Sequence, residues 1–195
     1  MKNEFGRSMV EMLGVLAIMG VVGLTGIKMY TVAMNYIKMN ELKSWLTRME
    51  LAFYETCFYK DNAACGAAGG VQYAQSRTIL CASTFGGADF CDTTNAAAYA
   101  TLKIIPNIQW TSRASKTAWT VYFKNLSESQ CEQFFNMELP KNVAVVGTNN
   151  TNFATTTKPA QLTSQQKQYG ISQCKRGVKE NASFGGTFLM TFSMQ

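Results

Sequence analysis

The residues of this chain that could carry out bond chemistry are chiefly its six cysteines, because the 195-residue sequence contains no histidine. The absence of an imidazole excludes Ser-His-Asp and Cys-His catalysis, His-bearing zinc fingers and HExxH metalloprotease sites. A hydrolase that uses two carboxylates needs no histidine, but the acidic residues are scattered along the sequence. Neither a phosphate-binding loop nor a dinucleotide fingerprint is present. We therefore expect no enzymatic activity, no cofactor and no metal site.

The six cysteines are typical of a disulfide framework. Their even number suits an oxidising compartment, and the sequence has no CxxC pair of the kind that holds structural zinc. Six cysteines allow fifteen pairings in principle. The short separations favour two small loops, which would leave one long bridge, so that the expected pairs are Cys57–Cys65, Cys81–Cys91 and Cys131–Cys174.

The other chemically informative residue is Glu11, an acid inside an apolar stretch. Residues 12–27 carry no charge, and only Glu11 interrupts the run when it is extended back to Met9. A hydrocarbon core of about 30 Å needs about 20 helical residues, so this stretch predicts a membrane-spanning helix. A carboxylate there costs about 2.5 kcal/mol or more. We expect a cationic partner for Glu11, unless its carboxylate lies at the headgroup border and is solvated there.

The element that must position these residues is one long helix. Apolar residues continue at helical spacing beyond the end of the predicted membrane span. They form an apolar stripe along one side of the helix, which consists of Leu42, Trp45, Leu46, Met49 and Phe53. The sequence predicts a helix from Ser8 to Thr56, which is about 70 Å long at 1.5 Å per residue. The first half contains Gly20, Gly23 and Gly26. They either allow close helix packing or weaken the helix, each by about 1 kcal/mol relative to alanine.

The rest of the chain predicts a smaller α+β unit. Residues 59–98 and 147–168 are polar or rich in small residues, as loops are. A short helix is expected at residues 126–135, with Ser127 as N-cap and Gln130 completing a capping box. Stretches rich in β-branched and aromatic residues predict four strands, at residues 102–108, 118–123, 143–146 and 187–192.

The sequence FGRSMVEML at residues 5–13 resembles the type III signal of type IV prepilins and pseudopilins. In that family a short leader ends in glycine, cleavage follows it, and a glutamate is the fifth residue of the mature chain. The resemblance implies that Gly6 closes the leader, that Arg7 becomes the new N-terminus and that Glu11 is the fifth residue. The family usually has Phe or Met where this chain has Arg7, and the first residue is usually N-methylated.

The resemblance also implies a role for Glu11 in assembly. The mature α-amino group is a cation, and Glu11 of a neighbouring subunit can pair with it in a low-dielectric helix bundle, which fixes the axial register. Type IV pilins often carry a proline near the position of Lys28, and their helix loses order there. This chain lacks that proline, and Gly20, Gly23 and Gly26 would weaken the helix in its place. The implied partners are copies of the chain in a filament, the prepilin peptidase, the inner-membrane assembly machinery and, before assembly, the membrane.

The order of elements after the helix resembles the type IVb pilin head. There a cysteine of the second helix bridges to one near the C-terminal strands, which supports the Cys131–Cys174 pair. The implied fold is the α+β pilin fold, in which a long N-terminal helix, first transmembrane and then amphipathic, packs on an antiparallel sheet with disulfides. The expected organisation is a leader at 1–6, the helix at 7–58 with 7–28 in membrane or filament core, and the head at 59–195.

The function that this resemblance implies is a structural subunit of a type IV pilus, used for adhesion, aggregation or conjugation. The precursor would lie in the inner membrane with a periplasmic head, and the filament would be extracellular. The alternatives are a pseudopilin of a type II secretion system and a membrane-anchored binding protein that does not polymerise. The net charge of +6 allows nucleic-acid binding, but the Lys and Arg residues are dispersed along the sequence, so nucleic acid is not the expected partner.

Overall fold

A computed structural model describes residues 4–60, 62–66, 71–72, 74–88, 90–91, 99–148, 151–155, 160–180 and 186–193. Side chains at 4–8, 23–25, 28, 64, 66, 71–72 and 74 lie outside this description. The chain divides into two compact units, Met1–Glu41 and Leu42–Gln195.

Helix α1 spans Glu4–Phe53 and is followed directly by a π-helical segment, Tyr54–Tyr59. The prediction of one long N-terminal helix, placed at Ser8 to Thr56, therefore agrees with the structure to within a few residues at each end. Within the described residues, no helix is both long and apolar enough to cross a membrane. The predicted span at 7–28 lies in α1 and includes positions 23–25 and 28, whose side chains are outside the description.

The second unit is α+β and is built on one antiparallel sheet. In the described part of the chain the sheet has seven strands in the order β1-β3-β4-β7-β5-β6, with β2 also paired to β3. The strands are β1 Val71–Gln72, β2 Ala100–Thr101, β3 Gln109–Ala114, β4 Ala118–Leu126, β5 Val143–Thr148, β6 Thr151–Ala154 and β7 Gly186–Ser193. The remaining helices are α2 Ala63–Gly66, α3 Ala74–Ala82, α4 Glu128–Asn136 and α5 Ser164–Glu180.

The last quarter of α1, from Leu42 onward, packs on one face of this sheet, which we call the inner face. Its predicted apolar stripe is fully buried, because Leu42, Trp45, Leu46, Met49 and Phe53 are each at most 1% exposed. Their rings are in contact with those of the sheet: the ring centroids of Trp45 and Trp110 of β3 are 4.9 Å apart, and those of Phe53 and Trp119 of β4 are 5.6 Å apart. Spacing of three and four residues puts these side chains on one side of the helix, as the sequence pattern predicts.

Helix α4 covers another part of the inner face. Phe134 lies between Phe123 of β4 and Phe188 of β7, at ring-centroid distances of 5.1 and 5.2 Å. The helix begins with the predicted capping box, in which Ser127 Oγ accepts from the Gln130 amide and Gln130 Oε1 accepts from the Ser127 amide. The three strands predicted at residues 118–123, 143–146 and 187–192 lie within β4, β5 and β7.

The strand predicted at residues 102–108 is wrong. Leu102, Ile105 and Ile108 are buried, but successive turns arrange them: Ile105 N donates to Leu102 O, and Ile108 N donates to Ile105 O. Pro106 lies inside this segment and has no amide hydrogen for a strand ladder. The strand is β3, which begins immediately afterwards at Gln109.

The loop predicted at residues 147–168 is also wrong in part. Strand β5 continues to Thr148, β6 occupies Thr151–Ala154, and α5 begins at Ser164. The start of α5 carries a second capping box, in which Gln166 Oε1 accepts from the Thr163 amide at 2.8 Å and Thr163 Oγ1 accepts from the Gln166 amide at 3.2 Å. The loop predicted at 59–98 contains α2, β1 and α3.

Candidate assembly helix and disulfide framework

The first part of α1 presents an apolar surface that the described residues of its own unit leave exposed. Sixteen large apolar side chains between Met9 and Ile37 are 48–75% exposed. Contiguous exposed apolar surface beyond a few hundred Å² marks an interaction site in proteins, because isolated chains rarely leave so much apolar area in water. This stretch can therefore bury apolar area against lipid or against other protein chains.

The predicted residues of the N-terminal site all lie on this helix. Glu11 is exposed. A Cβ added at Gly20 or Gly26 meets nothing within 4 Å, so no contact with the described part of the chain requires glycine there. The absence of a side chain instead leaves room for another helix to approach. Gly6, Arg7 and Gly23 belong to α1, but their surroundings lie outside the described part of the chain.

The three predicted disulfides are confirmed. The Cα atoms lie 5.5 Å apart in Cys57–Cys65, 4.7 Å apart in Cys81–Cys91 and 5.8 Å apart in Cys131–Cys174. Each distance falls in the range that a disulfide requires. No cysteine in the chain is left unpaired. The two short bridges close loops after α1 and after α3, whereas the long one joins α4 to α5.

The long bridge lies in the core of the second unit. Cys131 and Cys174 are both fully buried. A Cβ added at Gly186, the first residue of β7, would lie 2.8 Å from both Sγ atoms. Glycine is therefore needed at the point where β7 passes the disulfide, and no local sequence pattern predicts this close approach.

Ion pairs accompany the disulfide along the α4–α5 contact. Lys175 pairs with Glu132, and Lys179 Nζ lies 3.9 Å from Glu128 Oε1. The hydrogen bond from Lys175 to Glu132 raises the pKa of that lysine above its ordinary value. Pairs as exposed as these are screened by solvent and contribute little, so the disulfide is the stronger link between the two helices.

A carboxylate that the sequence did not single out ties the end of the first helix to the loop after α3. Glu55 accepts hydrogen bonds from Lys60 Nζ and Ser83 Oγ, both at 2.6 Å, and from the amide and hydroxyl of Thr84 at 3.1 and 3.0 Å. These donors, Lys60 first and Ser83 next, lower the pKa of Glu55 from 4.5 to about 2. The charged carboxylate is thus the form that the fold favours.

We expect the stability of the second unit to depend on the charge of Glu55. Because its pKa is about 2 in the folded chain and 4.5 ordinarily, its contribution is complete above about pH 4.5 and is lost as pH falls toward about pH 2. The midpoint temperature of thermal unfolding should therefore fall more steeply with decreasing pH for the wild type than for Glu55→Gln. Burial raises the pKa of Glu50. The contribution of Glu50 to stability therefore changes with pH in the opposite direction to that of Glu55, and it is the same in the wild type and in Glu55→Gln.

The control for this pH series is Glu138→Gln, which removes a well exposed carboxylate. That variant should follow the acid dependence of the wild type. Equal acid dependence of Glu55→Gln and the wild type would show that the hydrogen bonds of Glu55 do not contribute through its charge.

A groove of about 380 Å³ lies between the end of α4 and the start of α5. Its lining combines buried apolar side chains with a few polar ones: Asn136, Met137, Glu138, Leu139, Ala160, Gln161, Leu162 and Lys167. Glu138 pairs with Lys43 Nζ at 3.2 Å. In the described residues, no three His, Cys, Asp or Glu side chains are placed to hold a metal ion.

The family models, the curated proteins and the solved structures with which the chain was compared contain no match to it.

Proposed function

We propose that this chain is a structural subunit of a type IV pilus of the IVb kind, which polymerises through its N-terminal helix. The observation that carries the proposal is the exposed apolar surface of α1 between Met9 and Ile37. A helix that is apolar on all sides needs lipid or other helices around it. Before assembly the surrounding medium would be the inner membrane, and in the filament it would be the α1 helices of neighbouring subunits.

The leader motif supports the proposal from the sequence. Cleavage after Gly6 would make Arg7 the N-terminus, and its α-amino group would be a cation. Glu11 of the adjacent subunit would accept that cation, which compensates the cost of burying both charges and sets the axial step between subunits. Glu11 is exposed in the single chain, so its carboxylate is accessible to a neighbouring subunit.

The architecture and the disulfides of the second unit are those expected of a secreted head. This unit is α+β, it packs the last quarter of α1 on an antiparallel sheet, and it contains all three disulfides. Disulfides persist in the periplasm and at the cell surface. The finer assignment of this unit as a pilin head rests on the resemblance to type IVb pilins of the spacing and order of its cysteines and elements along the sequence.

The experiment that tests the proposal is mass spectrometry of the N-terminus, after expression with a prepilin peptidase. We expect a mature chain that begins at Arg7, with or without one methyl group. The variant Gly6→Val should remain full length, because the peptidase of this family requires the glycine. A wild-type chain that keeps Met1 under the same conditions would contradict the proposal and favour a membrane-anchored protein that does not polymerise.

A further inference from the structure

The three disulfides differ in their exposure to solvent. The cysteines of the first and third bridges are at most 2% exposed: Cys57, Cys65, Cys131 and Cys174. Cys81 and Cys91 of the second bridge are both partly exposed. A disulfide exchanges when a thiolate reaches one of its sulfur atoms, so the rate depends on access. Of the three bridges, the second is therefore the one that an external thiol reaches most readily in the folded protein.

The loop that this bridge closes is also held by contacts that do not involve sulfur. At the start of the loop, just after α3, the carboxylate of Glu55 accepts from Ser83 Oγ at 2.6 Å. The same carboxylate oxygen accepts from the amide and the hydroxyl of Thr84, at 3.1 and 3.0 Å. These hydrogen bonds fasten the loop to the segment that follows α1, and they do not require the S–S bond.

Aromatic packing holds the end of the same loop, immediately before the second cysteine. Phe90 is 1% exposed, and its ring centroid lies 5.1 Å from that of Trp45 of α1 and 6.0 Å from that of Trp110 of β3. The guanidinium carbon of Arg48 lies 5.7 Å from the centroid of the Phe90 ring. With its start bonded to Glu55 and its end packed in the core, the loop keeps its attachment to the second unit when the covalent link opens.

The reduced form of the bridge has a hydrogen-bond acceptor close by. Cys91 Sγ lies 3.8 Å from the backbone oxygen of Cys81. Cys81 belongs to the last turn of α3, and the carbonyl groups of a last turn have no partner inside their own helix. A thiol is a weak hydrogen-bond donor, so the thiol of reduced Cys91 has an acceptor within reach.

We propose that Cys81–Cys91 is a thiol–disulfide exchange site, which a dithiol reduces while the second unit stays folded. A thiolate of the dithiol attacks one sulfur atom of the bridge, forms a mixed disulfide with that cysteine and displaces the other cysteine as a thiolate. The second thiol of the dithiol then attacks the mixed disulfide. The products are the disulfide of the donor and two cysteine thiols, so two electrons and two protons pass to this chain.

The consequence of reduction is confined to the loop. The loop carries Phe85, whose side chain is 46% exposed. Removal of the covalent link lowers the cost of local opening around this ring, because local opening depends on the contacts of the segment concerned. The redox state of the bridge thus sets how freely the loop moves. This exchange belongs to the second unit and does not depend on whether the chain forms pili.

The test is a short pulse of dithiothreitol, a small dithiol, applied to the native full-length protein. Thiols formed during the pulse are blocked with iodoacetamide, and the remaining disulfides are reduced in denaturant, labelled with N-ethylmaleimide and assigned by peptide mass spectrometry. We expect Cys81 and Cys91 to take up iodoacetamide at least about tenfold faster than the other four cysteines, because access controls the rate. The emission of the three buried tryptophans should remain that of the folded protein.

Urea below the unfolding transition separates local exchange from exchange through global unfolding. The reduction rate of Cys81–Cys91 should change by less than about twofold there, because the bridge is reached without global opening. The matched control is Cys81→Ala/Cys91→Ala, which keeps the two buried bridges and should take up no iodoacetamide during the same pulse. Equal rates at the three bridges, or a rate for Cys81–Cys91 that rises steeply with urea, would overturn the proposal.

A second measurement distinguishes a protein dithiol from a small one. Thioredoxin whose resolving cysteine is replaced by serine stops at the mixed disulfide. A cross-link of this reagent to Cys81 or Cys91 would support the exchange site and assign a protein dithiol as the donor. Reduction by dithiothreitol without such a cross-link would support the site with a small dithiol as the donor. A cross-link to a cysteine of either buried bridge would contradict the proposal.

Discussion

Replacement of Cys131 and Cys174 together by alanine is expected to lower the free energy of unfolding of the second unit by about 4 kcal/mol. The bridge closes a loop of 43 residues, and the loss of chain entropy in the unfolded state grows with the logarithm of loop length. The two short bridges close 8 and 10 residues, for which the same relation gives about 2.5 kcal/mol each. The long bridge should therefore be the most stabilising of the three.

The surroundings of the long bridge do not offer a substitute for it. Both cysteines are fully buried. The ion pairs described between α4 and α5 are the exposed pairs of Lys175 and Lys179 with Glu132 and Glu128, and solvent screening makes such pairs weak. A Cβ added at Gly170 of α5 would lie 2.2 Å from Cε1 of Phe135, so the two helices also pack closely there, but without a covalent link. Alanine removes the sulfur atoms without introducing a polar group into the core, so the measured loss reports chiefly on the covalent link.

The measurement is equilibrium unfolding in urea without reductant, followed by tryptophan fluorescence. The three tryptophans of the chain, Trp45, Trp110 and Trp119, are all buried in the second unit, so their emission reports on that unit alone. The matched control is Cys81→Ala/Cys91→Ala. If that variant lost as much stability as Cys131→Ala/Cys174→Ala, loop length would not be the property that ranks the disulfides.

The sequence was sufficient for those features that depend on neighbouring residues or on a strong periodic pattern. The helix α1 was predictable because apolar residues recur at helical spacing and because no proline occurs before Pro106. The two short disulfides follow from the proximity of their cysteines along the chain. The capping box at Ser127 and Gln130 is a local signature of the same kind.

The features that were missed depend on tertiary contacts. Helix α5 has 17 residues and is mostly polar; its described buried residues are only Gly170 and Cys174, so it has no apolar stripe to detect. The capping box at Thr163 and Gln166 was a local signal for its start, but it lies in a tract whose composition indicates a loop. The hydrogen bonds that Glu55 accepts from Ser83 and Thr84 join residues 28 and 29 positions apart, and no local pattern predicts them.

The apolar turn at residues 102–108 shows why burial alone does not identify a strand. Leu102, Ile105 and Ile108 are spaced by three and are all buried, whereas an exposed-edge or half-buried strand alternates with a period of two. The β-branched content of the stretch favoured a strand, and Pro106 opposed it. The strand β3 that follows keeps the alternation except at Thr111: Trp110, Ser112 and Ala114 face the core and Gln109 and Arg113 are exposed, but Thr111 is buried as well.

The second large effect is expected at Glu11. We expect Glu11→Gln to leave the second unit folded but to reduce the yield of filaments to less than about a tenth of the wild type. In the proposed filament Glu11 pairs with the α-amino group of Arg7 of another subunit. The removal of one member of a buried ion pair costs about 3–5 kcal/mol, because it leaves the other charge buried without compensation. About 3 kcal/mol corresponds to more than a hundredfold in the subunit association constant.

The measurement compares filaments sheared from the cell surface with the pool of mature subunit that remains in the membrane. The matched control is Glu41→Gln, which makes the same substitution at another exposed glutamate of α1, outside the apolar stretch; it should assemble normally. Glu11→Asp keeps the charge on a shorter side chain and should recover part of the yield, which a role in packing alone would not explain. Wild-type filament yield from Glu11→Gln would mean that the charge of this residue does not set the register, and the apolar surface of α1 would then have to specify it through side-chain packing alone.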